Sequence, residues 1–301
     1  MVGTGPASYI RGMPLRPPMP TTLPPLVDAF EETVLAVIEL GRGCSAADFE
    51  LPTACPGWTV KDQISHVADI ESILAGDPEP VVDVPPLAHV RNEFGVFMER
   101  GVQARRGVPG PDVVAELTAA LPRRLAALRA PGMTAGTPVD QGLSIELPAR
   151  TASELMVLRV RDIWAHEQDL RAALGKPGGM GAGGAVVFLD SVFGYTPQLV
   201  ARRAKVPVGQ TVVVEAIGAV AGECGVRVEE RPDGKPAGVA LDAAEIEAAR
   251  RRSDGVTWVT LDTAALTRRA AGRCPVDETG YAVRGSDAIA RAVLESLVIT
   301  P

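Results

Sequence analysis

The chain has 301 residues, which is enough for two domains that each bury a core. Its net charge is -7, from 37 acidic and 30 basic residues, so it lacks the basic field that general nucleic-acid binding requires. The sequence has no apolar run of about 18 residues and no basic N-terminal region followed by an apolar run. We therefore expect a soluble, cytoplasmic protein with no nucleic-acid or membrane partner.

The first half of the chain has mainly helical periodicity. Residues 1–23 are rich in proline and lack periodicity, which predicts a flexible tail. Apolar residues then recur at helical spacing up to residue 178. The predicted helices are residues 24–40, 59–75, 87–105, 111–129 and 151–175. This pattern predicts an antiparallel bundle of at least four helices over residues 24–178.

The second half, residues 179–301, is predicted to be a smaller α+β domain. A helical pattern at 185–205 is interrupted at 194–197, and after residue 207 the apolar period changes to two. Strands are predicted at 211–217, 225–230 and 255–261, with a hairpin turn at 232–234. Helices at 263–271 and 286–297 follow, so strands come first and helices afterwards.

The helix at 151–175 combines a buried character with charged side chains. Thr151 and Glu154 form a capping box at its start, and apolar residues surround almost the whole helix. Asp162, His166 and Asp169 nevertheless share one face. Buried charges need partners, and these side chains could be satisfied by each other, by a neighbouring helix or by a divalent metal.

The helix at 59–75 supplies a second histidine. It starts with another capping box, Thr59 and Asp62, and carries His66. The third histidine of the chain, His89, follows a proline-rich loop and is expected to face solvent. The two capped helices therefore carry two of the three histidines of the chain.

Two motifs carry a family resemblance. The segments TACPGWTVKDQISH (53–66) and DIWAHEQDLRAALG (162–175) resemble the mycothiol-dependent maleylpyruvate isomerase family, within the DinB/YfiT-like metalloenzyme superfamily. The resemblance implies that His66, Asp162 and His166 bind one divalent metal, usually zinc, in a DinB-like bundle. The isomerase is similar but has Glu where Asp162 stands. It also implies a sterol-carrier-like fold for the C-terminal α+β domain.

The resemblance implies a thiol-dependent reaction. Mycothiol, as cosubstrate, would bind the metal through its sulfur, lose its proton and attack a small electrophilic substrate, in an isomerase or a thiol transferase. No catalytic residue is assigned beyond this metal-bound thiolate. Asp169 would orient His166 from behind the ligands, or else form a salt bridge to an arginine such as Arg171.

Three further arginines and two other functions stay open. Arg268, Arg269 and Arg273 would contact an acidic substrate or the carboxyl-bearing part of the thiol, or would form a solvated helix face. Two histidines and one carboxylate leave an open metal position, which also suits a metal hydrolase that uses a metal-bound hydroxide. The other alternative is a non-catalytic protein that binds an apolar ligand and has a structural metal.

Overall fold

The structure is a computed structural model that describes residues 17–145 and 148–300. The chain divides into two compact units, one of residues 20–188 and one of residues 189–299 together with residues 17–19. The predicted tail falls largely on residues 1–16, outside the described part of the chain. No helix of the described residues is long and apolar enough to span a membrane.

The first unit is almost entirely helical. Its helices are α1 (Leu23–Arg42), α2 (Ala46–Phe49), α3 (Val60–Leu74), α4 (Glu93–Arg105), α5 (Gly110–Leu128) and α6 (Ala152–Ala173), with a two-stranded ribbon of β1 (Pro138–Val139) and β2 (Arg150–Thr151) before α6. The predicted helices at 24–40, 59–75, 111–129 and 151–175 are confirmed. Helix α4 begins later than predicted because the Asn92 side chain caps it by accepting from Gly95 N at 2.8 Å.

Helices α1, α3, α5 and α6 pack on one another around a shared core. Both predicted capping boxes are present, so Thr59 starts α3 and Thr151 starts α6. Large side chains from several helices are fully buried, among them Phe30, Ile64, Leu117, Met156 and Trp164. Because α6 is apolar on nearly all sides, its polar residues are held inside the unit as well.

The second unit joins helices to a mixed sheet. Its elements are the end of α7 (Gly183–Gln198), a π-helical turn (Leu199–Arg203), β3 (Thr211–Ile217), β4 (Gly222–Glu230), β5 (Pro236–Ala240), α8 (Ala243–Arg250), β6 (Val256–Asp262), α9 (Thr263–Ala270), β7 (Ala282–Arg284) and α10 (Asp287–Ser296). The strand order is β5-β4-β3-β6-β7, and β3 and β6 are the parallel pair. The α+β class is therefore confirmed.

Two predictions for this unit are wrong. Residues 194–197 do not interrupt α7, because Pro197 lies near its end and the Thr196 hydroxyl donates to the Val192 carbonyl at 2.8 Å. Strands do not all precede helices either, since α8 lies between β5 and β6, and α9 between β6 and β7. The predicted turn at 232–234 is confirmed and joins the antiparallel strands β4 and β5.

Candidate metal site

Helices α3 and α6 bring two histidines and one aspartate together. His66 on α3 and Asp162 and His166 on α6 each offer one ligand atom, and these atoms lie within 4.8 Å of one another. The His66 Nε2 atom is 3.2 Å from Asp162 Oδ2, and the His166 Nε2 atom is 3.6 Å from Asp162 Oδ1. His66 and Asp162 therefore meet although they are 96 residues apart in the sequence.

The donor spacing of this cluster fits a small divalent ion. Zinc ligands at about 2.1 Å in tetrahedral geometry are separated by roughly 3.4 Å, close to the two measured distances. Both histidines are buried, while the Asp162 side chain keeps 25% exposure and opens the cluster to solvent. The His66 Nδ1 atom is buried without a hydrogen-bond partner among the described residues, so it stays available as a donor or a ligand atom.

A chain of buried charges holds Asp162. The Arg159 guanidinium donates to Asp162 Oδ2 at 2.8 Å and to Glu71 Oε1 at 2.7 Å, and Arg124 Nε donates to Glu71 Oε2 at 2.8 Å. Burial alone would raise the pKa of Asp162, but Arg159 and His166 hold that pKa well below its ordinary value. The carboxylate is therefore anionic, as a metal ligand must be.

Gln63 orients His166. Its Oε1 is hydrogen-bonded to His166 Nδ1, and its Nε2 donates to Thr53 Oγ1 at 2.8 Å and to Asp169 Oδ2 at 3.3 Å. Because an amide oxygen only accepts, Nδ1 carries the proton and the Nε2 lone pair of His166 points toward Asp162. Asp169 Oδ2 is 3.9 Å from His166 Nδ1, which is longer than a hydrogen bond. The hydrogen bonds of Gln63 to both residues link them instead.

Gln63 was not identified from the sequence. It precedes His66 by one helical turn on α3 and is fully buried. That position is a usable signal, since a buried amide one turn from a candidate ligand needs a polar partner. Arg171 was the alternative partner of Asp169, but Arg171 Nε donates to Glu167 Oε1 at 2.7 Å.

The CPGW segment is a type II turn that delivers Trp58 to the cluster. Trp58 N donates to the Cys55 carbonyl at 3.2 Å, with Pro56 and Gly57 at the central positions. Gly57 has φ +79°, which a type II turn requires at its third position and which favours glycine. Proline fixes the φ angle at the second position of the turn. The turn conformation therefore explains the Pro-Gly sequence of the motif.

Trp58 lies beside both histidine rings. Its ring centroid is 5.2 Å from that of His66 and 5.8 Å from that of His166. The indole Nε1 donates to Oε2 of Glu99, which is buried on α4, at 2.8 Å, and Arg106 Nη2 donates to Glu99 Oε1 at 2.6 Å. Burial alone would raise the pKa of Glu99, but the hydrogen bonds from its three partners, one of them a histidine, lower it.

The third histidine is one of these partners. His89 Nε2 lies 2.9 Å from Glu99 Oε2, and the His89 side chain is 20% exposed. The prediction that His89 faces solvent is therefore wrong. The proline-rich loop before it folds back onto the turn at Gly57, which brings the imidazole to a buried carboxylate.

The three predicted substrate-binding arginines belong to the other unit. Arg268 is exposed at the end of α9, whereas Arg269 is buried and donates to the Cys274 carbonyl. Arg273 Nη1 donates to the Ala271 carbonyl at 2.8 Å. Two of the three side chains thus bind carbonyls of the segment that follows α9, and they do not form one solvated helix face.

Comparison with known proteins agrees with the two motifs. The family model described as the mycothiol maleylpyruvate isomerase N-terminal domain matches residues 31–171. Crystal structures of the mycothiol-dependent maleylpyruvate isomerase and of a histidine-to-alanine variant resemble the chain with a TM-score of 0.53, at 16% and 15% identity, over 87% of this chain and 92% of theirs. At that identity the likeness concerns the fold, and no curated protein matches the sequence. The match over residues 31–171 therefore confirms the resemblance to this family that the two motifs indicated.

Proposed function

We propose that the chain is a metal-dependent enzyme that uses a small thiol, mycothiol, to isomerise a small electrophilic substrate or to transfer the thiol to it. The observation that carries this proposal is the convergence of His66, Asp162 and His166, with ligand atoms within 4.8 Å of one another. The family match of residues 31–171 supports the thiol. In this proposal the first unit is a DinB-like antiparallel four-helix bundle, and the domain boundary lies near residue 178, before a sterol-carrier-like domain.

Two imidazoles and one carboxylate would hold the metal, and this donor set suits zinc. When bound, it would supply a Lewis acid that holds the sulfur of the thiol in its deprotonated form at neutral pH. Gln63 would keep the Nε2 lone pair of His166 aimed at the ion, with Asp169 behind Gln63. Arg159 would keep Asp162 ionised and fixed through Oδ2.

Trp58 would form an apolar wall of the site. Its indole covers the two imidazoles at ring distances under 6 Å and is anchored by Glu99. Such a wall limits water at the reacting centre, which strengthens electrostatic interactions there. The partners of the protein would thus be a low-molecular-weight thiol and a small molecule.

Cobalt substitution tests the proposal. The cobalt-loaded chain should gain a sulfur-to-metal absorption band when mycothiol is added, and a substrate with a conjugated double bond should be consumed only with metal and thiol together. Turnover of an ester without thiol would favour the hydrolase. Tight binding of an apolar ligand, with no spectral response to thiol, would favour the carrier.

A further inference from the structure

A cleft in the second unit concentrates positive charge. It has a volume of about 720 Å³ and lies between the end of the π-helical turn and the turn that joins β4 to β5. Arg202 and Lys205 line one side, and Arg231 and Lys235 line the other, against one acidic residue, Asp233. The chain as a whole carries a net charge of -7, and two of its four lysines stand in this cleft. The local excess of positive charge therefore runs against the overall composition.

Three of these four cations have no ion pair with any carboxylate that the structure describes. Arg231 Nε is 3.8 Å from Asp233 Oδ1. Within residues 17–145 and 148–300, no carboxylate pairs with the side chains of Arg202, Lys205 or Lys235. Many arginines among the described residues form ion pairs instead, as in the Arg250–Glu223 pair of the same unit. A concave surface that is lined by unpaired cations attracts anions.

The backbone beneath the cations is unusual. The π-helical turn ends with Ala204 N donating to the Leu199 carbonyl at 2.9 Å, and Lys205 follows in the left-handed region at φ +52°. Among the described residues, Lys205 is the one non-glycine with positive φ. This residue ends the helix, since Val206 N donates to the Val200 carbonyl at 3.1 Å, and glycine or asparagine adopts its conformation more readily than lysine does. π-Helical turns and such strained residues occur often at functional sites.

The opposite side of the cleft is a closed turn with an apolar neighbour. Arg231 N donates to the Lys235 carbonyl at 2.9 Å, and Gly234 N donates to the Arg231 carbonyl at 2.9 Å. The lining between the cations is apolar and includes Val206 and Val208, the latter 50% exposed. The cleft thus presents an apolar floor with cations on two sides, and its volume lies within the range of small-molecule sites.

We propose that this cleft binds a small organic anion that carries a phosphate or carboxylate group on an apolar body. Lys205 and Lys235 would pair with the anionic group from the two sides, and Val206 and Val208 would contact the apolar body. The left-handed conformation of Lys205 would hold its side chain toward the anion. All of its lining residues lie in the second unit, and none of them is a candidate metal ligand.

Calorimetric titration with four probes tests the charge and the apolar body separately. Octyl phosphate and octanoate should bind, octan-1-ol should not, and inorganic phosphate should bind at least tenfold more weakly than octyl phosphate. Raising the salt concentration should weaken octyl phosphate binding, because the cations are exposed. Equal binding of octan-1-ol and octyl phosphate would overturn the anionic part of the proposal. Equal binding of inorganic phosphate and octyl phosphate would overturn the apolar part.

Variants locate the site. Lys205→Asn and Lys235→Gln should each weaken octyl phosphate binding at least tenfold, and Lys205→Asn should not lower Tm because asparagine tolerates the left-handed conformation. Arg251→Gln is the matched control, since Arg251 is 73% exposed in the same unit and pairs with Glu247 on its own helix. Binding that is unchanged in both lysine variants, or that falls equally in Arg251→Gln, would contradict the assignment.

Discussion

The indole Nε1 of Trp58 donates a 2.8 Å hydrogen bond to Oε2 of Glu99, a carboxylate that is 1% exposed. The same carboxylate contacts Arg106 and His89, so one buried acid ties the CPGW turn to helix α4. Trp58 in turn lies beside the two histidines of the cluster. The position of the indole over the candidate metal site therefore depends on an acidic residue that is not among the candidate ligands.

Removing this acid should loosen the turn. In Glu99→Ala, Trp58 loses its hydrogen-bond acceptor, and Arg106 and His89 lose the carboxylate that they contact. We therefore expect a loss of about 2 kcal/mol in the free energy of unfolding. Tryptophan fluorescence should also change, because the Trp58 indole is released. Urea denaturation measures the stability, with Glu93→Ala, an exposed acid of the same helix, as the control. Equal stability of the two variants would contradict the role of Glu99.

The same residue predicts a pH dependence. The folded-state pKa of Glu99 is below its ordinary value, so its contribution to stability is present above the unfolded pKa of about 4.3 and is lost as the pH falls through the lower folded pKa. The Tm difference between the wild type and Glu99→Gln should therefore be largest near neutral pH and shrink in acid. A difference that stays constant from neutral to acidic pH would contradict this assignment.

Gln63 should matter for metal affinity without being a ligand. Gln63→Leu removes the acceptor of His166 Nδ1, and loss of such an outer partner typically lowers metal affinity by about 10-fold to 100-fold. Competition with a chromophoric chelator measures the affinity. Ser65→Ala is the control on the same helix, because the Ser65 hydroxyl donates to the Lys61 carbonyl. Unchanged affinity in Gln63→Leu would show that the imidazole needs no such support.

The buried chain of charges behind Asp162 predicts a large stability effect. Glu71→Gln leaves Arg124 and Arg159 without the carboxylate that both bind, which should cost about 3–5 kcal/mol in the free energy of unfolding. The Asp77–Arg123 pair on the surface is the comparison. Asp77→Asn should cost far less, since solvent screens that pair. Similar losses in the two variants would contradict the structural role of Glu71.

Two variants of Asp162 test whether this side chain is a metal ligand or only a structural partner. Asp162→Asn keeps the shape of the side chain but removes its charge, so divalent metal binding should weaken, whereas Asp162→Glu should keep the metal and alter activity. The chelator competition assay measures both variants. Full metal affinity in Asp162→Asn would show that this carboxylate serves only Arg159 and the histidines.

The sequence was sufficient for helices α1, α3, α5 and α6 for local reasons, and the family resemblance indicated the three candidate ligands. Capping boxes at Thr59 and Thr151 and a continuous apolar surface on α6 are short-range signals. Gln63, Trp58 and Glu99 were not given these roles, because each acts through a side chain on another element. The pattern around His89 predicts exposure to solvent for the same reason, since the partner of His89 lies ten residues away on α4.

Boundaries were less predictable where one side chain decides them. Asn92 starts α4 later than the apolar pattern suggested, and Thr196 helps α7 to continue through a segment with glycine and proline. The parallel pairing of β3 with β6 depends on contacts between distant segments, which periodicity does not report.

Metal content is the most direct measurement of the central claim. We expect about one divalent ion per wild-type chain, and loss of that ion in both His66→Ala and His166→Ala, because two remaining ligands hold zinc poorly. His89→Ala is the matched control and should keep its metal, since His89 binds Glu99 instead. Elemental analysis of the four purified proteins should therefore show metal in the wild type and in His89→Ala alone. Equal metal content in all four proteins, or none in the wild type after growth with zinc, would contradict the account.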